Sequence, residues 1–326
     1  MNRSLILIAA FLCFLGMSSA QSIQDGLKQM ENENYTAALQ TFSGLAKSDP
    51  KNPINQYYIG EVHYALENTT EARKAYEKGL SINSNCDQCH IGLGRLDFDS
   101  GKFDEGQKHL DLALKGNSKN AQIQALVGGA YLYGKSPRPD LALPYLEKAR
   151  DLDPKQAKFW IALGDAYQLK GELGDAMTAY ETAVEKDKTD LETYVKMSRI
   201  WADGKQLDLA IERLEKAIEI KSDYALAYKN LYELYIRTRR FDKVVPVLDK
   251  YVALSGSDVD AKVRLVKFLS FQAKDYERAI AEGKVLVKAH PEEYTLHRWL
   301  AWSYYETGAF DSSLSESYAL FGKINQ

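Results

Sequence analysis

The stretch WIALGDAYQLKGELGDAMTAYETAVEKDKTD, residues 160–190, carries the clearest structural signal in the chain. Its apolar residues recur three and four positions apart, which is the period of a helix with one buried stripe. Gly171 interrupts this period, so the stretch predicts two helices joined by a tight turn. Either helix alone would leave its apolar stripe in water, whereas a helix pair stacked on a neighbouring pair buries it.

The same spacing recurs along the chain with a period of 34 residues and two extra residues in the fourth copy. Small residues on two facing helices let the backbones approach closely, and an aromatic residue or Leu fills the space beside them. We expect looser packing at Tyr232 and Lys267, which stand where the seventh and eighth copies need a small residue. The regular copies contain the trios Gly26, Ala38, Phe42; Gly60, Ala72, Tyr76; Gly94, Gly106, Leu110; Gly128, Ala142, Leu146; Gly164, Ala176, Tyr180; Ser198, Ala210, Leu214; and Tyr232, Val244, Leu248.

This pattern resembles the tetratricopeptide repeat, whose signature is W-x2-L-G-x2-Y followed by A-x3-F and a Pro near the end. Trp160, Leu163, Gly164 and Tyr167 match the first part, and Ala176 begins the second. The resemblance implies an all-α fold, a right-handed superhelix of about nine helix-turn-helix repeats. The repeats are expected near residues 21–52, 53–86, 87–120, 121–156, 157–190, 191–224, 225–259, 260–293 and 294–326, as one continuous array from 21 to 326. The Ser-rich segment Ser312 to Asn325 is expected to cap the last repeat.

The first twenty residues have the features of a secretory signal peptide. Arg3 precedes an apolar run from Leu5 to Leu15, and Ser18 to Ala20 offer a small-residue cleavage site. We therefore expect an exported protein, located in the periplasm, at the cell envelope or secreted. No later apolar run is long enough to span a bilayer, so no transmembrane span is expected in the mature chain.

Composition and motifs narrow the function classes. After residue 20 the chain has 41 basic and 45 acidic residues, and this even balance gives no reason to expect nucleic acid, which attracts basic patches. The sequence has no glycine-rich phosphate loop, nucleophile elbow or H-E-x-x-H motif. We therefore predict no enzyme, no catalytic residue and no metal site.

The segment NSNCDQCHIGLG, residues 83–94, places Cys86, Cys89 and His90 in the spacing C-x-x-C-H, which also attaches haem in c-type cytochromes. In an oxidising compartment the default for two nearby cysteines is a disulfide, here at the start of a helix. No cofactor is expected on this interpretation. The alternative is a c-type haem protein for electron transfer, with thioethers at Cys86 and Cys89 and His90 on the iron. Thiol–disulfide exchange and a zinc site remain further alternatives.

The resemblance also implies the function, because first helices of tetratricopeptide repeats line a groove that binds extended peptides or partner helices. We predict an interaction scaffold that binds a protein or peptide partner in this groove. The C-terminal group of candidates attracts most interest, since aromatic and Arg side chains are enriched at binding hot spots. The predicted groove residues are Tyr57, Tyr64, Arg95, Phe98, Arg264, Phe268, Phe271, Arg298, Trp302 and Tyr305.

Overall fold

A computed structural model describes residues 23–30, 34–255 and 258–324. Within these ranges the regular structure is helical and no β-strand occurs, so the predicted all-α fold of about nine helix pairs is confirmed. The predicted signal peptide, residues 1–20, lies outside the described residues. The chain divides into two compact units, Met1–Lys186 and Asp187–Gln326. Continuity of the array across this boundary stays a prediction.

The first unit consists of helices that pack as consecutive antiparallel pairs, with the second helix of each pair also contacting the first helix of the next. These helices are α1 (residues 23–30), α2 (Tyr35–Ser48), α3 (Pro53–Ala65), α4 (Thr69–Ile82), α5 (Asp87–Asp99), α6 (Phe103–Leu114), α7 (Ala121–Leu132), α8 (Pro139–Leu152), α9 (Ala157–Lys170) and α10 (Leu173–Lys186).

The second unit repeats this arrangement with one irregularity, a π-helical turn at Leu269–Ala273. Its helices are α11 (Leu191–Asp203), α12 (Leu207–Ile220), α13 (Ala225–Arg237), α14 (Phe241–Ser255), α15 (Val259–Phe268), α16 (Tyr276–Ala289), α17 (Thr295–Glu306) and α18 (Phe310–Ile324).

Local sequence explains where the helices begin and end. The side chain of Asn52 accepts a hydrogen bond from the backbone N–H of Ile54 at 3.1 Å, and Pro53 starts α3 without needing an N–H partner. Asn120 caps α7 in the same way. Gly171 ends α9 with φ at +82°, a left-handed conformation that glycine adopts without strain. The two asparagines thus start the first helices of their repeats, and Gly171 separates the two helices of another repeat.

The predicted contact between a small residue and a ring is present in the core. A Cβ added to Gly60 would overlap the Tyr76 ring, and one added to Gly164 would overlap the Tyr180 ring. Both tyrosines are fully buried, so the rings fill the space that the glycines leave. The expected role of these residues is therefore confirmed, and it explains how paired helices approach closely enough to exclude water.

The eighth repeat departs from the sequence prediction. Lys267 is exposed, and Val266 takes the buried position on α15 that was assigned to the lysine. In this repeat the small residue is instead Gly283, on α16, where an added Cβ would contact Leu300 and Val266. The assignment of Lys267 was wrong by one residue. Tyr232, expected to loosen the seventh repeat, is itself fully buried.

The last helix, α18, exposes both polar and large apolar residues. Ser313 lies toward α17, where its hydroxyl donates to the carbonyl oxygen of Ala301 at 2.8 Å. Ser312 and Ser315 are exposed, but large apolar residues are exposed on the same helix, so the segment is not a purely polar cap. The exposed apolar residues are Phe310, Leu314, Tyr318 and Phe321.

Candidate functional site

An open cavity of about 320 Å³ lies against the first helices of three consecutive repeats in the second unit. The helices α13, α15 and α17 and the π-helical turn all contribute side chains to it. Three predicted groove residues, Phe268, Phe271 and Arg298, are among them, and Phe268 is the buried one of the three. The cavity is lined by Ile236, Phe241, Lys267, Phe268, Phe271, Gln272, Arg298 and Trp299.

The π-helical turn places Phe271 at this cavity. Residues Leu269–Ala273 widen the last turn of the helix, and Lys274 ends it with φ at +55° while donating its N–H to the carbonyl of Leu269. The buried Ser270 hydroxyl lies 2.8 Å from the Ser303 hydroxyl, which ties the turn to α17. Such turns inside helices are frequent at functional sites because they change the direction of one side chain.

A row of aromatic rings extends from the cavity along α17. Phe271 packs edge-on against Trp299 with ring centroids 5.1 Å apart, and it stacks on Trp302 at 5.3 Å. Trp302 contacts Tyr305 at 6.3 Å, and Tyr305 contacts Phe310 at 5.7 Å. Phe271, Trp302, Tyr305 and Phe310 are 40%, 41%, 57% and 61% exposed. Large rings with this exposure form a contiguous apolar patch, a feature of interaction surfaces.

The sequence located part of this surface and missed part of it. Arg264 was predicted to line the groove, but it is not among the cavity residues; it donates to the hydroxyl of Tyr232 at 2.9 Å and lies 3.7 Å from Glu233. Trp299 and Lys267 were not predicted. Each is a sequence neighbour of a predicted residue, Phe268 for Lys267 and Arg298 for Trp299.

Two predicted residues of the first unit, Arg95 and Tyr64, belong to a polar network. The Arg95 guanidinium donates to Glu61 at 2.6 Å and lies 3.7 Å from the centre of the Tyr64 ring. The Tyr64 hydroxyl donates to Asp99 at 2.7 Å. Partial burial and this carboxylate raise the pKa of Tyr64, so its hydroxyl stays a donor at neutral pH. Their place in a binding groove stays a prediction.

The other two residues predicted for this part of the groove are buried, and this corrects the prediction. Tyr57 packs against Tyr76 with ring centroids 6.1 Å apart, and Phe98 stacks on Tyr131 at 5.0 Å. First helices of successive repeats touch each other directly, α3 with α5 and α5 with α7. Side chains one turn away from the packing stripe are therefore covered by the next repeat.

A disulfide joins Cys86 and Cys89 at the start of α5, with both residues buried. The Nε2 atom of His90 lies 3.1 Å from the carbonyl oxygen of Ser84, and its Nδ1 atom lies 3.0 Å from Nδ1 of His109. Because a carbonyl only accepts, Nε2 of a neutral His90 carries the proton and Nδ1 accepts from His109. Both sulfurs are joined in the disulfide and both ring nitrogens of His90 have partners; the haem alternative stays a prediction.

Models of the tetratricopeptide repeat match residues 26–85, 63–128, 136–197 and 269–321. These ranges cover most of the chain and lie in both compact units. The chain is a tetratricopeptide repeat protein. Proteins of this family act as scaffolds for protein–protein interactions. In this tetratricopeptide protein, residues 23–30, 34–255 and 258–324 contain no helix with the length and apolar character needed to cross a membrane.

Relatives of this tetratricopeptide protein are distant. The TPR repeat-containing protein MJ1428 of Methanocaldococcus jannaschii is 20% identical over 245 residues, which are 63% of this chain and 43% of the relative. A probable UDP-N-acetylglucosamine–peptide N-acetylglucosaminyltransferase, SPINDLY of Hordeum vulgare, is 29% identical over 143 residues, 40% of this chain and 14% of that protein. The chain thus spans less than half the length of either relative.

Among solved structures, the TPR protein YrrB, described as having an unusual peptide-binding site, aligns with a TM-score of 0.38 and 21% identity. The alignment covers 58% of this chain and 96% of YrrB.

Proposed function

We propose that this protein is an exported, non-catalytic scaffold that holds a segment of a partner protein on the cavity and aromatic row of its last three repeats. The observation that carries the proposal is the exposed row Phe271, Trp302, Tyr305 and Phe310 beside an open cavity. Aromatic and Arg side chains around a pocket are the residues that dominate binding energy in protein interfaces. A purely structural spacer would have no need to expose four large rings together.

Export is part of the proposal and rests on the signal-like residues 1–20. It predicts that the protein purified from its host begins at Gln21, which intact-mass measurement of the envelope or periplasmic fraction tests. A chain that retains Met1 and remains in the cytoplasm contradicts export and leaves the binding proposal standing.

Site-specific photo-crosslinking in the host tests the binding surface. A benzoylphenylalanine at position 305 should give discrete adducts with a partner, while the same group at Leu169, an exposed apolar position on α9, should not. The adducts from position 305 should disappear when Phe271→Ala and Trp302→Ala are added and persist when Leu112→Ala, an exposed residue of the first unit, is added instead. Identical adducts in all variants contradict this surface.

A further inference from the structure

We infer that the partner segment is acidic, with carboxylates next to the apolar side chain that enters the cavity. This inference rests on the proposed function and names the chemistry of its partner. Two of the cavity-lining residues, Lys267 and Arg298, are cations, and no lining residue is an acid. The apolar part of the cavity therefore selects a large apolar side chain, and its rim selects the charge of the residues beside that side chain.

Both rim cations are held near one ring. The guanidinium carbon of Arg298 lies 5.0 Å from the centre of the Trp299 ring, and the Lys267 ammonium lies 5.6 Å from it. This contact with the face of an indole stabilises a cation without neutralising it. Over the described ranges, neither side chain is within ion-pair distance of a carboxylate, in contrast to Arg278, which pairs with Asp249. Both remain able to bind an anion from outside.

The segment that joins α13 to α14 adds to the positive potential. It carries the exposed Arg239, and the first turn of α14 carries the exposed Lys243, with one exposed acid, Asp242, between Lys243 and the cavity residue Phe241. Lys243 lies 5.3 Å from the centre of the Tyr235 ring, again an aromatic contact that leaves its charge in place. Several cations around an apolar cavity raise the association rate of an acidic segment and lower that of a basic one.

The size of the cavity limits what enters. Its volume of about 320 Å³ lies at the lower end of the range of about 300–1,000 Å³ typical of ligand cavities. It admits one or two side chains, and the exposed rings of Trp302 and Tyr305 offer a continuing apolar track for the residues that follow. The partner chemistry that fits is an aromatic or large aliphatic residue flanked by Asp or Glu.

The test pans a display library of random dodecapeptides against residues 21–326 and repeats the selection against three variants. Phe271→Ala with Trp302→Ala removes the rings. Lys267→Glu with Arg298→Glu reverses the rim charge. The control variant carries Lys119→Glu and Lys155→Glu, which change the net charge by the same amount at two exposed lysines of the first unit. Far-UV circular dichroism checks that each variant keeps the helical content of the parent.

The expected result is enrichment of peptides that combine a large apolar residue with Asp or Glu, and loss of this enrichment in the ring variant. Binding of the selected peptides should weaken by about tenfold in the Lys267→Glu and Arg298→Glu variant and stay unchanged in the lysine control. Their affinity for the parent chain should also fall as sodium chloride is raised, because the rim is open to solvent.

The outcomes separate the two proposals. Enriched peptides that depend on the rings but carry neutral or basic flanks overturn the acidic partner and support the binding surface. Equal loss of binding in the rim and control variants assigns the effect to net charge and also overturns the inference. Enrichment that is the same with and without the rings, or no enrichment at all, overturns the proposed binding surface together with the inference.

Discussion

Replacing Gly164 by Ala tests the packing on which every repeat depends. A Cβ at this position would lie 2.6 Å from Cδ1 and 2.9 Å from Cζ of the Tyr180 ring. The ring is fully buried, and its hydroxyl donates to Asp165 at 2.6 Å and lies 2.9 Å from the Gln168 side-chain amide, so it cannot move without weakening these contacts. We expect the added methyl group to displace the ring rather than to be accommodated.

The magnitude follows from three effects of the Gly164→Ala change. Overpacking costs about 1–3 kcal/mol, and the weakened hydrogen bonds cost about 1 kcal/mol more. Alanine stabilises a helix over glycine by about 1 kcal/mol. The free energy of unfolding should therefore fall by about 1–3 kcal/mol. The control is Gly44→Ala, where nothing lies within contact distance of the added Cβ and only the gain of about 1 kcal/mol is expected.

Urea unfolding followed by far-UV circular dichroism measures both variants in the full chain. Gly164→Ala should lower the unfolding midpoint and Gly44→Ala should raise it. A second pair of variants identifies the cause: in a Tyr180→Leu background, the ring is gone and most of the penalty of Gly164→Ala should disappear. If Gly164→Ala is as stable as Gly44→Ala, or if its penalty persists without the ring, the proposed packing is refuted.

Three further predictions concern the first unit. Reducing the disulfide between Cys86 and Cys89 should lower the unfolding free energy by about 2 kcal/mol, because the disulfide closes a short loop in the unfolded chain. Two thiols that react with a thiol reagent in the unreduced, unfolded chain would refute this prediction. Burial and the neighbouring histidine lower the pKa of His109 below its unfolded value of about 6.5, so unfolding free energy should fall as pH drops through that value, and less so in His109→Gln; equal pH slopes contradict this. Arg95→Met should lower the unfolding free energy by about 2 kcal/mol, because it leaves the half-buried carboxylate of Glu61 without its cation. The control Lys74→Met breaks an exposed pair with Glu71 and should leave the urea midpoint unchanged.

The proposed binding surface was only partly predictable from the amino-acid sequence. Phe271, Arg298 and Trp302 were recognised as aromatic and basic side chains on first helices, and the structure brings them to one region. Trp299 was overlooked because helical counting places it toward the packing side. Its ring packs against Phe271 of the π-helical turn at Leu269–Ala273, a turn that no pattern of apolar residues indicated.

The position of α17 explains why Trp302 and Tyr305 are exposed where Tyr57 and Phe98 are buried. Tyr57 and Phe98 lie on first helices that the next first helix contacts, so the neighbouring repeat buries them. Trp302 and Tyr305 lie on α17, the final first helix of the described part, and no later repeat there covers them. Identical residue types therefore become core in one place and surface in the other.

The amino-acid sequence by itself determined the helix pairs, their period and the contacts of small residues with rings, as at Gly60 and Tyr76. These features could be read directly because each repeat contacts only its neighbours, so spacing along the chain translates into contact in space. Tertiary packing alone determined the accessible surface. Whether a ring at the edge of the apolar stripe is buried depends on the adjacent helix, and a shift of one residue, as between Val266 and Lys267, changes which side chain faces solvent.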